Sequence, residues 1–179
     1  MNRLTRTLSA GGLAVAFLAA ALAAQDKKGW EPPKPGPEHA ALKALEGSWD
    51  VDGKHCLDHG DGAVSKGVET NAMICDGFWL ETDHETKMGP HPFLGHGLMG
   101  YDQMRKKVVL AWAGSFSSAL TLFEGSYDKA SATYTLTADT PGPEGRLHSM
   151  RIVRTFKDPD HMTFALTGIG ASAGGKDCT

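Results

Sequence analysis

Turn residues divide the chain after Gly47 into short segments, and this spacing constrains the fold more than any other feature. Breaks that contain Gly, Asn or Asp recur about every 8–14 residues, as expected of strands joined by tight turns. Polar and apolar residues alternate within several segments. For example, Met162, Phe164 and Leu166 share one side of a segment, whereas Thr163 lies on the other. Such alternation indicates strands with one buried face.

The segmented region predicts an all-β fold. Nine hairpin-linked strands with no helices to cover them would leave exposed edges, so we expect an up-and-down antiparallel β-barrel of about 8–9 strands. A β-sandwich is the alternative, although long crossover connections are not evident. A short helix over His39–Glu46, stopped by Gly47, is predicted to precede the barrel. The predicted strands are Trp49–Cys56, Ala63–Cys75, Phe78–Met88, Phe93–Tyr101, Lys107–Ser115, Ala119–Tyr127, Thr133–Ala138, Leu147–Phe156 and His161–Thr167.

Residues 1–24 have the composition of a secretory signal peptide. They contain two arginines, no acidic residue and an apolar run from Leu8 to Ala24. Cleavage is expected after Ala23 or Ala24, which would make the protein periplasmic or secreted, with no membrane span after processing. An uncleaved anchor is the alternative, but the run is rich in alanine and shorter than the roughly 20 strongly apolar residues of a typical span.

The remaining chain divides into a leader and one domain. Residues 25–37 carry four prolines and are predicted to be a flexible leader. Residues 38–179 then form a single barrel domain of ordinary globular composition. The net charge of the chain is −3, and loss of the two early arginines would make it −5. A net negative charge argues against nucleic acid as a partner.

Three cysteines are present, namely Cys56, Cys75 and Cys178. An oxidising compartment permits one disulfide, and the odd count leaves at least one further thiol. A Cys56–Cys75 disulfide is one candidate, but it requires a bulge or a curled wall, because a simple hairpin would place Cys75 far along the ladder from Cys56. No cysteine or histidine spacing of the zinc-binding type occurs.

Five motifs resemble a bacterial family known as domain of unknown function 1579, over roughly residues 38–167. The resemblance implies a calycin-like barrel, often exported, and no known activity. It further implies that Trp49, two residues after Gly47, plugs the closed end of the barrel, and that Tyr101 is structural. Family members continue past a Gly-Lys turn into a last strand, whereas this chain ends at Thr179 shortly after Lys176, so either the barrel closes with fewer strands or the sequence is truncated. The motifs are Leu45–Val51, Ser65–Thr70, Phe93–Asp102, Ala111–Trp112 and Phe123–Asp128.

Several polar and aromatic side chains are candidates for lining a cavity. Thr82 and His84 alternate with Glu81, Asp83 and Glu85, so one face of this strand is expected to be inside and the carboxylate row outside, in solvent. Gly95 and Gly97 are expected to allow curvature and close approach of another group. The candidate ligand-binding residues are Thr82, His84, His96, Trp112, Phe123 and Tyr134.

The function expected from these features is binding of a small, largely apolar ligand inside an exported β-barrel. The alternatives are an enzyme that uses a histidine and a carboxylate in the cavity, a haem or metal binder, and a packed barrel without a ligand. The serine-rich turn after Gly114 lacks the pattern of a nucleophile elbow, and no catalytic motif is found. The candidate histidines for a metal or haem are His55, His84, His91 and His96.

Overall fold

A computed structural model describes residues 31–55, 63–141 and 146–169, which from Pro35 onward belong to one compact unit. The segment predicted to be a signal peptide therefore lies outside the described residues. The elements are helix α1 (Pro37–Lys43) and strands β1 (Gly47–His55), β2 (Ala63–Ile74), β3 (Trp79–Met88), β4 (His91–Asp102), β5 (Lys107–Gly114), β6 (Thr121–Asp128), β7 (Thr133–Pro141), β8 (Leu147–Asp158) and β9 (His161–Ile169), with a 3-10 turn at Cys75–Gly77 between β2 and β3.

The nine strands form one antiparallel sheet in which each strand pairs with the next in the chain. This order confirms the predicted up-and-down topology and excludes the sandwich. Each predicted strand corresponds to an observed one, with ends that differ by a few residues. The alternation of polar and apolar residues was sufficient to locate the strands. The apolar side of β9 is nevertheless not buried as expected, because Phe164 and Leu166 are 54% and 49% exposed on this edge strand.

The sheet curls into a half-barrel. The curl brings β8 against the first two strands, since the Phe156 ring lies 6.3 Å from the Trp49 ring and Arg154 reaches Glu69. Among the described strands, β1 pairs only with β2 and β9 only with β8, so these two are the edges of the sheet.

Helix α1 fills one end of the half-barrel. It begins at Pro37, inside the predicted leader, because proline is well suited to the first turn of a helix. The His39 Nδ1 atom accepts a hydrogen bond from the Gly36 backbone N–H at 2.9 Å. Leu42 and, just after the helix, Leu45 are fully buried and join the core of the sheet.

Trp49 is less central than the resemblance implies. Its side chain is only half-buried, and its indole N–H donates to the Leu45 carbonyl at 2.9 Å. The closed end is therefore filled mainly by Leu42 and Leu45, and Trp49 packs beside them. Tyr101 is half-buried near the same end, where its ring lies 6.0 Å from the buried His39 ring.

The strand register assigns side chains to two faces. The inner face of β3 carries Leu80, Thr82 and His84, while Glu81, Asp83 and Glu85 lie on the outer face, as predicted. The inner faces of the later strands supply most of the apolar core. The core residues are Leu42, Leu45, Leu80, Met99, Val108, Phe123, Tyr134, Leu136, Ala138 and Ile152.

Glycines allow the Trp112 indole to lie directly against β4. A Cβ at Gly97 would lie 3.0 Å from the Trp112 ring, and one at Gly95 would overlap the ring. The predicted close approach at Gly95 and Gly97 is thus observed, and Trp112 is the group that approaches. Gly47 has a φ of +128°, a conformation that favours glycine at the start of β1.

Cys75 is exposed and has a free thiol. It follows the end of β2 that pairs with the beginning of β1, whereas His55, the last residue of β1, pairs with Ala63 at the opposite end of the hairpin. A disulfide requires Cα atoms within about 7 Å. The predicted Cys56–Cys75 pairing is therefore not supported, although Cys56 itself lies outside the described residues, as does Cys178.

Candidate functional site

A buried ion pair spans the inner face of the half-barrel. The Arg154 guanidinium on β8 contacts the Glu69 carboxylate on β2 through two N–O pairs, each at 3.1 Å. The Asn71 side-chain N–H donates to Glu69 at 3.0 Å, and the Thr82 hydroxyl donates to the Asn71 carbonyl at 2.5 Å. Two-point pairing of arginine with a carboxylate fixes both groups in orientation as well as in position.

Glu69 is held in its ionised form. Burial by itself would raise its pKa, but hydrogen bonding with His84, the charge of Arg154 and the amide of Asn71 outweigh burial and lower the pKa from 4.5 to about 2. A carboxylate with this pKa is a poor proton acceptor near neutral pH. Its chemical role is to compensate Arg154 and to orient neighbouring hydrogen-bond donors.

His84 lies next to this ion pair on the inner face. Its Nδ1 atom is 3.5 Å from Glu69 Oε2, and its side chain is 17% exposed. A carboxylate only accepts hydrogen bonds, so Glu69 favours the tautomer in which Nδ1 carries the proton. In the neutral ring, Nε2 is then a hydrogen-bond acceptor.

Aromatic side chains surround His84. Its ring lies 6.1 Å from the Phe93 ring and 6.3 Å from the Trp112 indole, both in edge-to-face geometry. Phe116, in the loop after β5, packs on Phe93 at 5.2 Å and is half-exposed. The histidine is therefore a partly exposed polar group in an aromatic setting.

Tyr134 places a hydroxyl in the interior. Its side chain is 1% exposed, its ring stacks on Tyr127 at 4.4 Å, and it lies directly across the β7–β8 register from Arg154. Burial raises the pKa of this phenol above its ordinary value, so it stays protonated. The hydroxyl has no hydrogen-bond partner among the described residues.

The inner face brings together most of the predicted ligand-binding residues. Thr82, His84, Trp112 and Tyr134 all lie there, and Phe123 is fully buried in the core. Thr82 is occupied by its bond to Asn71, so the polar atoms that the other residues of this set offer are on His84, Trp112 and Tyr134.

His96 does not belong to this site. His84 pairs with Gly95 across β3 and β4, so the next residue, His96, projects from the outer face. There it is 54% exposed, with Nδ1 2.8 Å from Asp83 and Nε2 3.6 Å from Glu81. The grouping of His84 with His96 is wrong because neighbouring positions on a strand point to opposite faces.

The three candidate histidines whose side chains are described, His84, His91 and His96, do not converge. His91 is exposed at the start of β4, and the side chain of His55 is outside the described set. Within residues 31–55, 63–141 and 146–169, no group of three or more His, Cys, Asp or Glu side chains is arranged to hold a metal ion. The same residues include no helix long and apolar enough to cross a membrane.

Sequence reasoning missed Glu69, Asn71 and Arg154. A signal was present in the pattern, because Arg154 falls between Ile152 and Phe156 on the apolar side of its strand. A charged residue at an inward position predicts a buried partner of opposite charge. The identity of that partner was not readable, since Glu69 is 85 residues away and meets Arg154 only when the sheet curls.

Two open grooves, of about 670 and 600 Å³, lie on the outer face. The first is bordered by the ion pair of Lys107 and Glu124, and the second by Asp83 and His96. In the first groove Lys107 pairs with Glu124 and the Ser149 hydroxyl donates to Asp139, and in the second His96 pairs with Asp83. The inner face differs because Tyr134 carries a buried hydroxyl without such a partner.

The fold and the site define the class of this protein as an up-and-down β-barrel-like protein with a polar cluster on its inner face. Residues 34–177 match the family model described as Protein of unknown function (DUF1579), and the chain belongs to that family. No curated protein matches the sequence. The comparison thus establishes the family, and the structure establishes the barrel-like fold. Neither assigns an activity.

Proposed function

We propose that this chain is an exported binding protein that holds a small, largely apolar molecule on the inner face of its half-barrel. The observation that carries the proposal is the Tyr134 hydroxyl, which is buried and has no partner among the described residues. A buried hydroxyl without a hydrogen bond is costly, so a ligand that supplies a polar atom at this point would be stabilised there.

The surroundings of Tyr134 explain the expected character of the ligand. Leu136, Phe123 and Ile152 provide an apolar interior, and the opposite charges of Glu69 and Arg154 compensate each other. Such an interior favours a molecule with a large apolar surface and few polar groups. Export is inferred from the basic and apolar pattern of residues 1–24.

Native mass spectrometry of the full chain, expressed with its own N-terminus in a bacterial host, tests both parts. The expected mass is that of a chain beginning at Ala24 or Gln25, with a bound molecule that leaves on denaturation. The Tyr134→Phe variant should retain less of that molecule, while Tyr101→Phe, at the end occupied by helix α1, should retain as much as the wild type.

The binding proposal is contradicted if native spectra show only the chain without a bound molecule, both as isolated from the host and after incubation with a mixture of small apolar compounds. That result would favour a packed barrel. A mass that includes residues 1–23 would contradict processing of the signal peptide.

An enzyme is the second candidate, because His84 and Glu69 form the oriented histidine–carboxylate pair that acid–base catalysis requires. In this arrangement His84 would be the base and Glu69 would position it. Slow hydrolysis of p-nitrophenyl acetate that is lost in His84→Gln and unchanged in His96→Gln would support the enzyme. Equal rates in all three proteins would remove it.

A further inference from the structure

We propose that His84 Nε2 accepts a hydrogen bond from a hydroxyl of the ligand, so that the inner face selects a small neutral aromatic alcohol over its ether or carboxylate analogues. This inference rests on the proposed binding function and deepens it by naming the ligand's chemical class.

The tautomer of His84 determines which ligand group is accepted. Glu69 is fixed by Arg154 and Asn71, so its oxygen presents a stationary acceptor to Nδ1. With the proton on Nδ1, the neutral ring has a lone pair on Nε2. A ligand hydroxyl can donate to that lone pair. An ether has no proton to donate, and a carboxylate would place an acceptor oxygen against the lone pair of Nε2.

The Nε2 atom is available for such a contact. Among the described residues, the polar contact of the His84 ring is that of Nδ1 with Glu69. The buried and unpartnered side-chain polar atoms of the described residues are His39 Nε2 and Tyr134 Oη, so His84 Nε2 is reached by solvent. Partial exposure of the ring, at 17%, agrees with this access.

The aromatic neighbours favour a planar ligand. Phe93 and Trp112 flank His84 at interplanar angles of 66° and 67°, and Phe116 extends this aromatic surface towards solvent. Edge-to-face and offset contacts between rings add to the free energy gained from burial of apolar area. The net charge of the Glu69–Arg154 pair is zero, so the site offers no attraction for an anion.

The test compares 1-naphthol with 1-methoxynaphthalene by isothermal titration calorimetry. The two probes differ in whether the oxygen can donate a hydrogen bond. The wild type is expected to bind 1-naphthol about tenfold more tightly, the size of effect that one hydrogen bond can give. In His84→Phe the two affinities should become equal, while His96→Phe on the outer face should retain the tenfold difference.

The outcomes separate this inference from the binding proposal. If neither probe binds the wild type, the ligand site itself is contradicted. If both bind the wild type with equal affinity, or if His84→Phe retains the preference, the site stands and the role of His84 is overturned. A further measurement avoids any folding defect of the variant. The ¹⁵N resonance of His84 Nε2 in the wild type should shift on addition of 1-naphthol and stay in place with 1-methoxynaphthalene.

Discussion

Two glutamates on opposite faces of the same sheet show how burial changes the meaning of an ion pair. Burial opposes ionisation of Glu69, yet His84, Arg154 and Asn71 lower its pKa to about 2. Hydrogen bonds from Arg105 and Lys107 lower the pKa of Glu124, on the outer face, to about 2 as well. The two differ in exposure, since Glu69 is 7% exposed and Glu124 is 37% exposed.

The comparison teaches that a shifted pKa does not by itself identify an important charge. Water can replace Arg105 and Lys107 around Glu124, because exposed ion pairs are screened and contribute little. Water cannot readily replace Arg154 around Glu69, because loss of one partner leaves a charge in the interior.

Arg154→Met should be the most damaging change. It leaves the Glu69 carboxylate buried without its cation, and the free energy of unfolding should fall by about 3–5 kcal/mol. Urea unfolding at pH 7 measures this loss. Arg151→Met is a matched control, because Arg151 lies on the same strand but is exposed, and it should leave the unfolding midpoint nearly unchanged. Equal effects of the two changes would contradict the importance of the buried pair.

Acid should destabilise the protein through Glu69. Its pKa is lowered in the folded state, so its contribution is fully present above the unfolded value of 4.5 and is lost as the pH falls towards about 2. Each pH unit between these pKa values corresponds to about 1.4 kcal/mol, giving a total loss of roughly 3 kcal/mol. The slope of unfolding free energy against pH between 4.5 and 2 should become flatter in Glu69→Gln. If Glu124→Gln flattens it equally, burial is not what separates the two glutamates.

Trp49→Ala should have an intermediate effect. A fully buried tryptophan costs about 3–5 kcal/mol on truncation, but Trp49 is half-buried, so a loss of about 2 kcal/mol is expected. Urea denaturation checks the value. Leu45→Ala provides the comparison, since Leu45 is fully buried at the same end of the half-barrel. If Trp49→Ala loses much more unfolding free energy than Leu45→Ala, the tryptophan is the main residue that fills this end of the half-barrel.

Glu124→Gln should have the smallest effect. Glu124 is bonded by Arg105 and Lys107 on the outer face, where solvent screens the charges. The urea midpoint at pH 7 should stay within experimental error of the wild type, and any small difference should vanish at high salt. A large, salt-independent loss would show that the outer cluster is as important as the inner one.

The sequence was enough to predict the strands but not the site. Period-two alternation located β9 through Met162, Phe164 and Leu166, although Phe164 and Leu166 are about half-exposed on this edge strand. It also placed Thr82 and His84 on one face of β3, because successive side chains of a strand point to opposite faces. It could not reveal the contact between Glu69 and Arg154, which depends on curvature summed over seven strands. His96 was grouped with His84 by residue type. In the β3–β4 register His84 pairs with Gly95, so the next residue, His96, points to the other face.

The tautomer of His84 depends on the fixed position of Glu69 and determines which ligand groups the inner face can bind. A two-dimensional ¹H–¹⁵N NMR experiment on the imidazole rings of the wild type at pH 8 distinguishes protonated from unprotonated ring nitrogens. We expect His84 to carry its proton on Nδ1, with an unprotonated Nε2, and Glu69→Gln to weaken that preference. A proton on Nε2 in the wild type at pH 8 would show that Glu69 does not determine the tautomer of His84.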